Sequence, residues 1–340
     1  TETFAVGVNM PARSVVFNSI FKYDGKRMGP IKTREHAQMS GRAGRRGIDA
    51  EGYVTSVVEW PHQRADEIER VIHGPIEPIR SQFNLSYATL LTLWDHLKDR
   101  ITTAAEKSFA NYDPRRRGEK AFQGKIAQIR RRLAVLRSLG YLRDGELTPK
   151  GRFARQIQGY ELQVSELLFQ GFLKQLSEEE LAVLFHAIVY EAKKADWARK
   201  VDSGRFKWMK RNAEQIIRDI LVAEDGAGLE DRTKELEFKQ AAAVNAWAKG
   251  CTWGELEAFT GASDGDMVRI FRLTLQLLKN TMYAGVKDDP LRAKLRAAAD
   301  RINRDVVDAE RQLRMGIPDL AAAEDAPAAV PPPVADPPAL

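Results

Sequence analysis

The run QMSGRAGRRG at residues 38–47 holds the side chains best suited to chemistry. Arg42 and Arg45 stand three apart, a spacing that predicts one shared face at a helix end, and Gly41, Gly44 and Gly47 clear the space around them. Two guanidinium groups so placed can reach a phosphate and stabilise charge that develops on it during phosphoryl transfer. The glycines let a large anion or a second backbone approach closely. From these residues alone the run is an anion site, or else a glycine-rich basic turn that merely ends a helix. A second concentration of charge lies at residues 115–137, with nine basic side chains against Glu119 alone. Such a cluster attracts polyanions through phosphate neutralisation, and Arg130 and Arg131 within it are candidates for nucleic-acid contact. The plainer reading is a solvated helix face.

Other chemistry is poorly served. The five histidines are scattered, with no HExxH or Cys/His spacing, which speaks against a metal site. A single cysteine, Cys251, excludes a disulfide scaffold and a CxxC redox or zinc motif, and reads as a small packing residue. Trp197, Trp208, Trp247 and Trp253 could stack on bases, but read as core and helix-packing residues. The acidic run Glu178, Glu179, Glu180 follows Ser177 as a capping box rather than as an acid/base pair.

The elements that must position the glycine-rich run are legible. Residues 15–21 and 52–58 are short β-rich runs bounded by turn signals, and residues 33–43 between them predict a helix with Thr33 as N-cap. Strand, helix and strand in so short a span suggest part of an α/β unit with a parallel sheet. Beyond Pro61 nearly everything to residue 315 predicts helix. Residues 119–139 carry apolar side chains at helical spacing, Asp144-Gly145 predicts a small hairpin, and Thr148-Pro149 opens another helix. Helix, hairpin, helix is the pattern of a winged helix. Further helices are expected at 161–174, 178–194, 205–223, 233–249, 253–260, 264–284 and 289–314. Residues 316–340 hold seven of the fifteen prolines, four acidic residues and no basic one, which predicts a disordered tail.

At 340 residues the chain has room for two or three domains, and 44% hydrophobic with 29% charged residues is an ordinary globular balance. No apolar run is long enough for a membrane span, and no signal peptide is visible, so a cytoplasmic location is expected.

Two stretches together are far more specific than either alone. The wording TETFAVGVNMPARSVVF at the start, followed by REHAQMSGRAGRRGIDAEGYV, resembles motifs V and VI of superfamily-two helicases, in the form used by the superkiller-type (Ski-like) DExH-box group. GPIEPIRSQFNLSY at 74–87, LTPKGR at 147–152, ELLFQG at 166–171 and residues 244–284 continue that resemblance, so that only the tail lies outside it. The Ala-, Arg- and Pro-rich composition suggests a GC-rich genome and a bacterial member.

What the resemblance implies is a mixed fold. It comprises the end of a second α/β RecA-like lobe (1–62), a connecting helical segment (63–98), a winged helix (99–160) and a helical bundle (161–315). It places Thr1 and Thr3 near the nucleic-acid backbone and Gly7 and Asn9 near the nucleotide. Gln38, Arg42 and Arg45 fall at the ATP-facing positions of motif VI, with Arg45 as the arginine finger and Arg42 beside it on the γ-phosphate. A ratchet helix at 264–283 would carry Arg269, Arg272, Gln276 and Lys279 as a polar stripe along the strand, beside an apolar stripe of Val268, Phe271, Leu275 and Leu278. The implied activity is ATP hydrolysis coupled to 3′-to-5′ translocation, with ATP and Mg2+ as cofactors. The implied partner is RNA or DNA, single-stranded or duplex with a 3′ overhang, bound by a monomer.

Departures from the family pattern shape the expectation. No GxxxxGK(S/T) phosphate loop and no DExH quartet occurs in the sequence. Those motifs supply the phosphate cradle, the metal ligand and the residue that positions the attacking water. The expectation is therefore that the chain is the C-terminal part of a helicase, inactive alone, whose first RecA-like lobe lies upstream. The long arch insertion of some eukaryotic relatives is absent, leaving only a short segment around residues 111–122. The rival expectation is a non-enzymatic winged-helix adaptor that binds nucleic acid without ATP. The sequence leaves RNA versus DNA open.

Overall fold

The computed structural model describes residues 10–23, 28–58, 64–78, 85–107, 119–192 and 197–309, apart from the side chains of Tyr23 and residues 119–123. Thr1, Thr3, Gly7, Asn9, Arg115, Arg116, Arg117 and the 316–340 tail lie outside those residues. The chain divides into two compact units, residues 1–82 and 83–340.

In the first unit, β1 (Ser14–Phe17) pairs in parallel with β4 (Tyr53–Ser56), with Ser14 opposite Tyr53 and Phe17 opposite Ser56. Between them β2 (Phe21–Tyr23) and β3 (Met28–Pro30) form an antiparallel pair, and α1 (Thr33–Ser40) follows. The core is small: Phe17, Ile20, Ile31 and Val71, edged by Val15, Phe21, Met39 and Ile68. Val71 and Ile68 belong to α2 (Ala65–His73), which therefore packs with this unit rather than standing as a separate connector. On the sheet, Val16 is 60% exposed and Tyr53 and Val54 are also bare, so the β-rich pattern that predicts these strands does not mark which of their side chains are buried.

Helices dominate the second unit. α3 (Tyr87–Leu97) leads through a short 3-10 turn into α4 (Ile101–Glu106). α5 (Glu119–Ser138) is followed by a hairpin of β5 (Leu142–Arg143) and β6 (Glu146–Leu147), then by α6 (Pro149–Ala154). Asp144 and Gly145 both have positive φ, 51° and 77°, as a two-residue type I′ turn demands. The hairpin tip is held: Trp94 Nε1 donates to the Gly145 carbonyl at 2.9 Å, and Lys98 Nζ donates to it at 3.1 Å. Gly151 fits where no side chain could, because a Cβ there would stand 2.3 Å from the Tyr141 carbonyl oxygen.

The remaining helices are α7 (Glu161–Phe169), α8 (Glu178–Val189), α9 (Gly204–Gly226), α10 (Ala241–Ala248), α11 (Asp264–Tyr283) and α12 (Asp289–Ile302). α8 is buried on every side from Leu181 to Val189, and α10, α11 and α12 pack around it. A helix apolar all round belongs at the centre of a bundle. One continuous hydrophobic core runs from Tyr87 to Val307, so the segments expected as winged helix and bundle share it.

Several expected boundaries move. Lys32, not Thr33, is the N-cap of α1. Residues 233–240 are not helical, because Thr233 gives both its N–H and its hydroxyl to the Glu224 carboxylate, and the Glu237 N–H goes to the Ala187 carbonyl. α7 stops at Phe169 because Gly171 follows with φ 74°. Residues 253–260 give a 3-10 turn, Gly254–Ala258. No helix among the described residues is long and apolar enough to cross a membrane.

His186 on α8 is 1% exposed, stacks on Tyr190 at 5.2 Å and leaves its Nε2 without a partner. Burial, with the Lys234 charge adding to it, lowers its pKa to about 3. The native state thus refuses a proton that the unfolded chain accepts near pH 6.5. Its stabilising contribution is whole above pH 6.5 and is lost as pH falls towards 3. Between pH 6.5 and 4.5 the loss is roughly 2 to 3 kcal/mol. Urea unfolding at those two pH values should show a loss smaller by that amount in a His186→Leu variant; equal losses would remove the role assigned to His186.

Candidate functional site

The glycine-rich run begins where α1 ends. α1 is positioned from its N-terminus: the Glu77 carboxylate accepts the N–H groups of Thr33 and Arg34, both at 3.0 Å, and the Thr33 hydroxyl donates to the Arg70 carbonyl at 2.7 Å. Negative charge at the first turn suits the exposed N–H groups and the helix dipole there. His36, 5% exposed, stacks on Phe17 at 4.5 Å, and burial, with His73 nearby, holds its imidazole below the ordinary range. These contacts tie α1 to β1 and to the segment after α2.

After Ser40 the chain leaves the helix, so Arg42 and Arg45 do not share a helix face as their spacing suggests. Ala43 instead bridges in parallel to Ala12, and the Gly44 N–H reaches the Ala12 carbonyl at 2.7 Å. Gly44 and Gly47 take φ of 86° and 78°, conformations that side chains other than glycine rarely adopt. Gly52 passes so close that a Cβ on it would stand 2.6 Å from the Ala43 carbonyl carbon and the Gly44 nitrogen. The glycines thus serve close backbone crossing, one of the two uses read from the sequence.

The turn from Arg45 to Asp49 is the constrained part of the site. Arg45 Nε and Nη2 donate to the two oxygens of Asp49 at 2.9 and 3.0 Å, and the Arg45 N–H adds a third bond at 2.9 Å. The Asp49 side chain is 7% exposed and that of Arg45 43% exposed. Hydrogen bonds from Arg45 hold the Asp49 carboxyl down at about 2, and the same bonds raise the Arg45 pKa. The pair is therefore charged at any physiological pH, with one edge of the guanidinium fixed and the rest turned to solvent. Arg42 is half-buried and Gln38 exposed on the last turn of α1. Asp49 and Glu77 were not singled out from sequence; for Asp49 the four-residue spacing from Arg45 is the signal that was there to read.

On the second unit, the candidate nucleic-acid residues are placed differently from one another. Arg130 on α5 is exposed. Arg131 donates to the Gly228 carbonyl at 2.9 Å. Its neighbour Arg132 pairs with Asp231 at 2.9 Å and lies over the Tyr87 ring, and Arg137 lies over Trp94. Much of the described basic stretch is thus engaged within the fold. On α11, Arg269, Leu273, Gln276 and Tyr283 are exposed along one stripe. Gln276 donates to Asn280 at 2.7 Å. Arg272 turns inward: its Nε and Nη2 donate to the carbonyls of Val307 and Val306 at 3.0 and 3.2 Å. Of the four tryptophans read as packing residues, Trp247 is fully buried, and Trp208 and Trp253 pack against the core. Trp197 differs, standing 53% exposed.

Comparison with known proteins gives these surfaces a family. The chain is 38% identical over 136 residues to human "Superkiller complex protein 2", a stretch covering 40% of this chain and 11% of that protein. It is 34% identical over 157 residues to the "Probable helicase HelY" of Mycobacterium tuberculosis, covering 46% of this chain and 17% of the relative. Human "Exosome RNA helicase MTR4" is 41% identical over 113 residues, covering 33% of this chain and 11% of the relative. Residues 144–310 match the model of the DSHCT (NUC185) domain. Together these matches support the C-terminal portion of a Ski-like DExH-box helicase, with the DSHCT match covering just under half of the chain. It spans well under a fifth of the length of these helicase relatives. The DSHCT match starts at Asp144, inside the hairpin, and covers α6 to α12. The DSHCT match therefore includes the exposed stripe of α11 and leaves out the Arg45 turn.

Proposed function

We propose that this chain is the C-terminal part of an ATP-dependent helicase that moves 3′ to 5′ along RNA and unwinds duplexes bearing a 3′ overhang. The observation that carries this reading is the Arg45–Asp49 pair: an exposed guanidinium braced at both nitrogens of one edge, on a glycine turn, in a chain of a helicase family. Phosphoryl transfer needs a positive charge held in place before the transition state forms, and a braced arginine meets that need. Arg45 is the arginine finger, Arg42 supports it on the γ-phosphate side, and Gln38 is the polar residue beside them. The family resemblance assigns Gly7 and Asn9 to nucleotide binding and Thr1 and Thr3 to strand binding, and these four lie outside the described residues. ATP, when bound, supplies the phosphoryl group that passes to water.

The residues present fit the phosphate end of a nucleotide. Among the described residues no group of three His, Cys, Asp or Glu could hold a metal ion, and none is assigned to Mg2+. In the second unit, α5 with the hairpin and α6 forms a winged helix, and α11 is the ratchet helix, with Arg269 and Gln276 towards the strand. RNA is preferred because one of these relatives, human MTR4, is named as an RNA helicase. The intact protein containing this chain should unwind an RNA duplex with a 3′ overhang when given ATP, and leave one with a 5′ overhang paired. Salt-sensitive binding with no response to ATP would replace the motor by the adaptor; equal unwinding of DNA would remove the RNA preference.

A further inference from the structure

Trp197 is exposed although it is held in place. A Cβ built on Gly261 would stand 2.1 Å from Trp197 Nε1 and 2.3 Å from its Cδ1, so the indole lies directly on bare glycine backbone. The main chain fixes the pair: the Gly261 N–H donates to the Trp197 carbonyl at 3.0 Å, the Arg199 N–H donates to Phe259 at 2.9 Å, and Ala198 bridges to Thr260. The ring therefore rests on a support that any side chain at 261 would displace, and over half of it remains bare.

Two further features indicate what covers it. Arg199 and Lys200, next in the chain, are both exposed, and Arg199 lies over the Phe259 ring at 5.6 Å. Of the acids close in sequence, Asp264 accepts from Trp253 Nε1, Asp266 from the Ser263 hydroxyl and Glu255 from Thr252, Asp202 pairs with Lys207, and Glu257 is exposed. Gly261 also lies two residues before Ser263, the N-cap of α11, so the indole stands at the head of the helix that carries Arg269 and Gln276. A flat aromatic beside exposed cations suits unpaired bases on a phosphate backbone, because every base offers a π-face and every linkage a charge.

We infer that Trp197 is a stacking platform for a base of the single strand, with Arg199 and Lys200 holding the adjoining phosphates. This rests on the nucleic-acid reading above and adds a contact to it. The intact protein is titrated with a fluorescein-labelled single-stranded oligonucleotide, RNA and then DNA, over a series of salt concentrations.

Trp197→Ala should weaken binding about five- to a hundredfold, the range of one lost base stack, with the salt slope unchanged. Trp197→Phe, which keeps a π-face, should recover most of that loss. Arg199→Ala with Lys200→Ala should instead flatten the salt slope by about one to two. Unaltered melting of each variant shows that the fold is intact. Wild-type affinity in Trp197→Ala overturns the platform alone. Failure of the wild-type protein to bind either strand overturns the nucleic-acid reading and the platform with it.

Discussion

On the proposed reading, replacing Arg45 with Ala should lower ATP hydrolysis by the intact protein about a thousandfold or more while leaving single-strand binding within a few-fold of wild type. The magnitude is that of a lost arginine finger, whose charge matters only as negative charge builds on the transferring phosphoryl group. The geometry explains why this side chain is singled out over its neighbours. Two side-chain bonds to Asp49 and a third through its own N–H leave Arg45 little freedom to relax. A charge that needs no reorientation contributes fully at the transition state. Asp49→Asn keeps the shape and loses the charge-assisted bracing, so turnover should fall by less, on the order of a hundredfold, the usual scale for an ångström of misplacement. Measured turnover and oligonucleotide affinity separate the two roles. Parallel loss of strand binding in Arg45→Ala, or turnover unaffected by Asp49→Asn, would contradict the assignment.

The second large effect falls on stability. Trp247→Ala should destabilise the helical unit by about 4 kcal/mol. Trp247 is fully buried at 0% exposure, stacks on Phe271 of α11 at 5.8 Å and meets Trp253 edge-on at 5.4 Å. Its Nε1 donates to the Ile302 carbonyl at the end of α12, 3.0 Å away. On its other side the Arg304 guanidinium lies 3.4 Å from the ring centroid while donating to the carbonyls of Trp247 and Cys251. Removing the indole opens a cavity where three helices meet and strips a partner from both Ile302 and Arg304. Calorimetry should show the main transition lower by roughly 8 to 16 °C. Trp197→Ala, which removes a half-exposed ring, supplies the contrast. A shift of less than about 2 °C in Trp247→Ala would show that the site repacks.

The sequence by itself determined the family and the kinds of element. The wording around motifs V and VI, Asp144-Gly145 as a hairpin turn, Ser177 with Glu180 as a capping box and the period of α11 are all local signals, set by turn chemistry, capping and spacing. They can be read because the physics behind them acts within a few residues. The tertiary structure decided the rest. It moved Arg42 and Arg45 off the helix, because the chain turns at Gly41 to pair Ala43 and Gly44 with Ala12, a contact between segments distant in sequence. It gave α1 its cap in Glu77, more than forty residues further along the chain. It turned Arg131 and Arg272 towards backbone carbonyls of other elements, which no pattern of charge along one helix can show. It also parted Trp197 from Trp247, two residues of one type. One rests on Gly261 at the surface and the other is enclosed by α11, α12 and Arg304. Burial is a property of what surrounds a side chain, and those surroundings come from segments that only folding brings together.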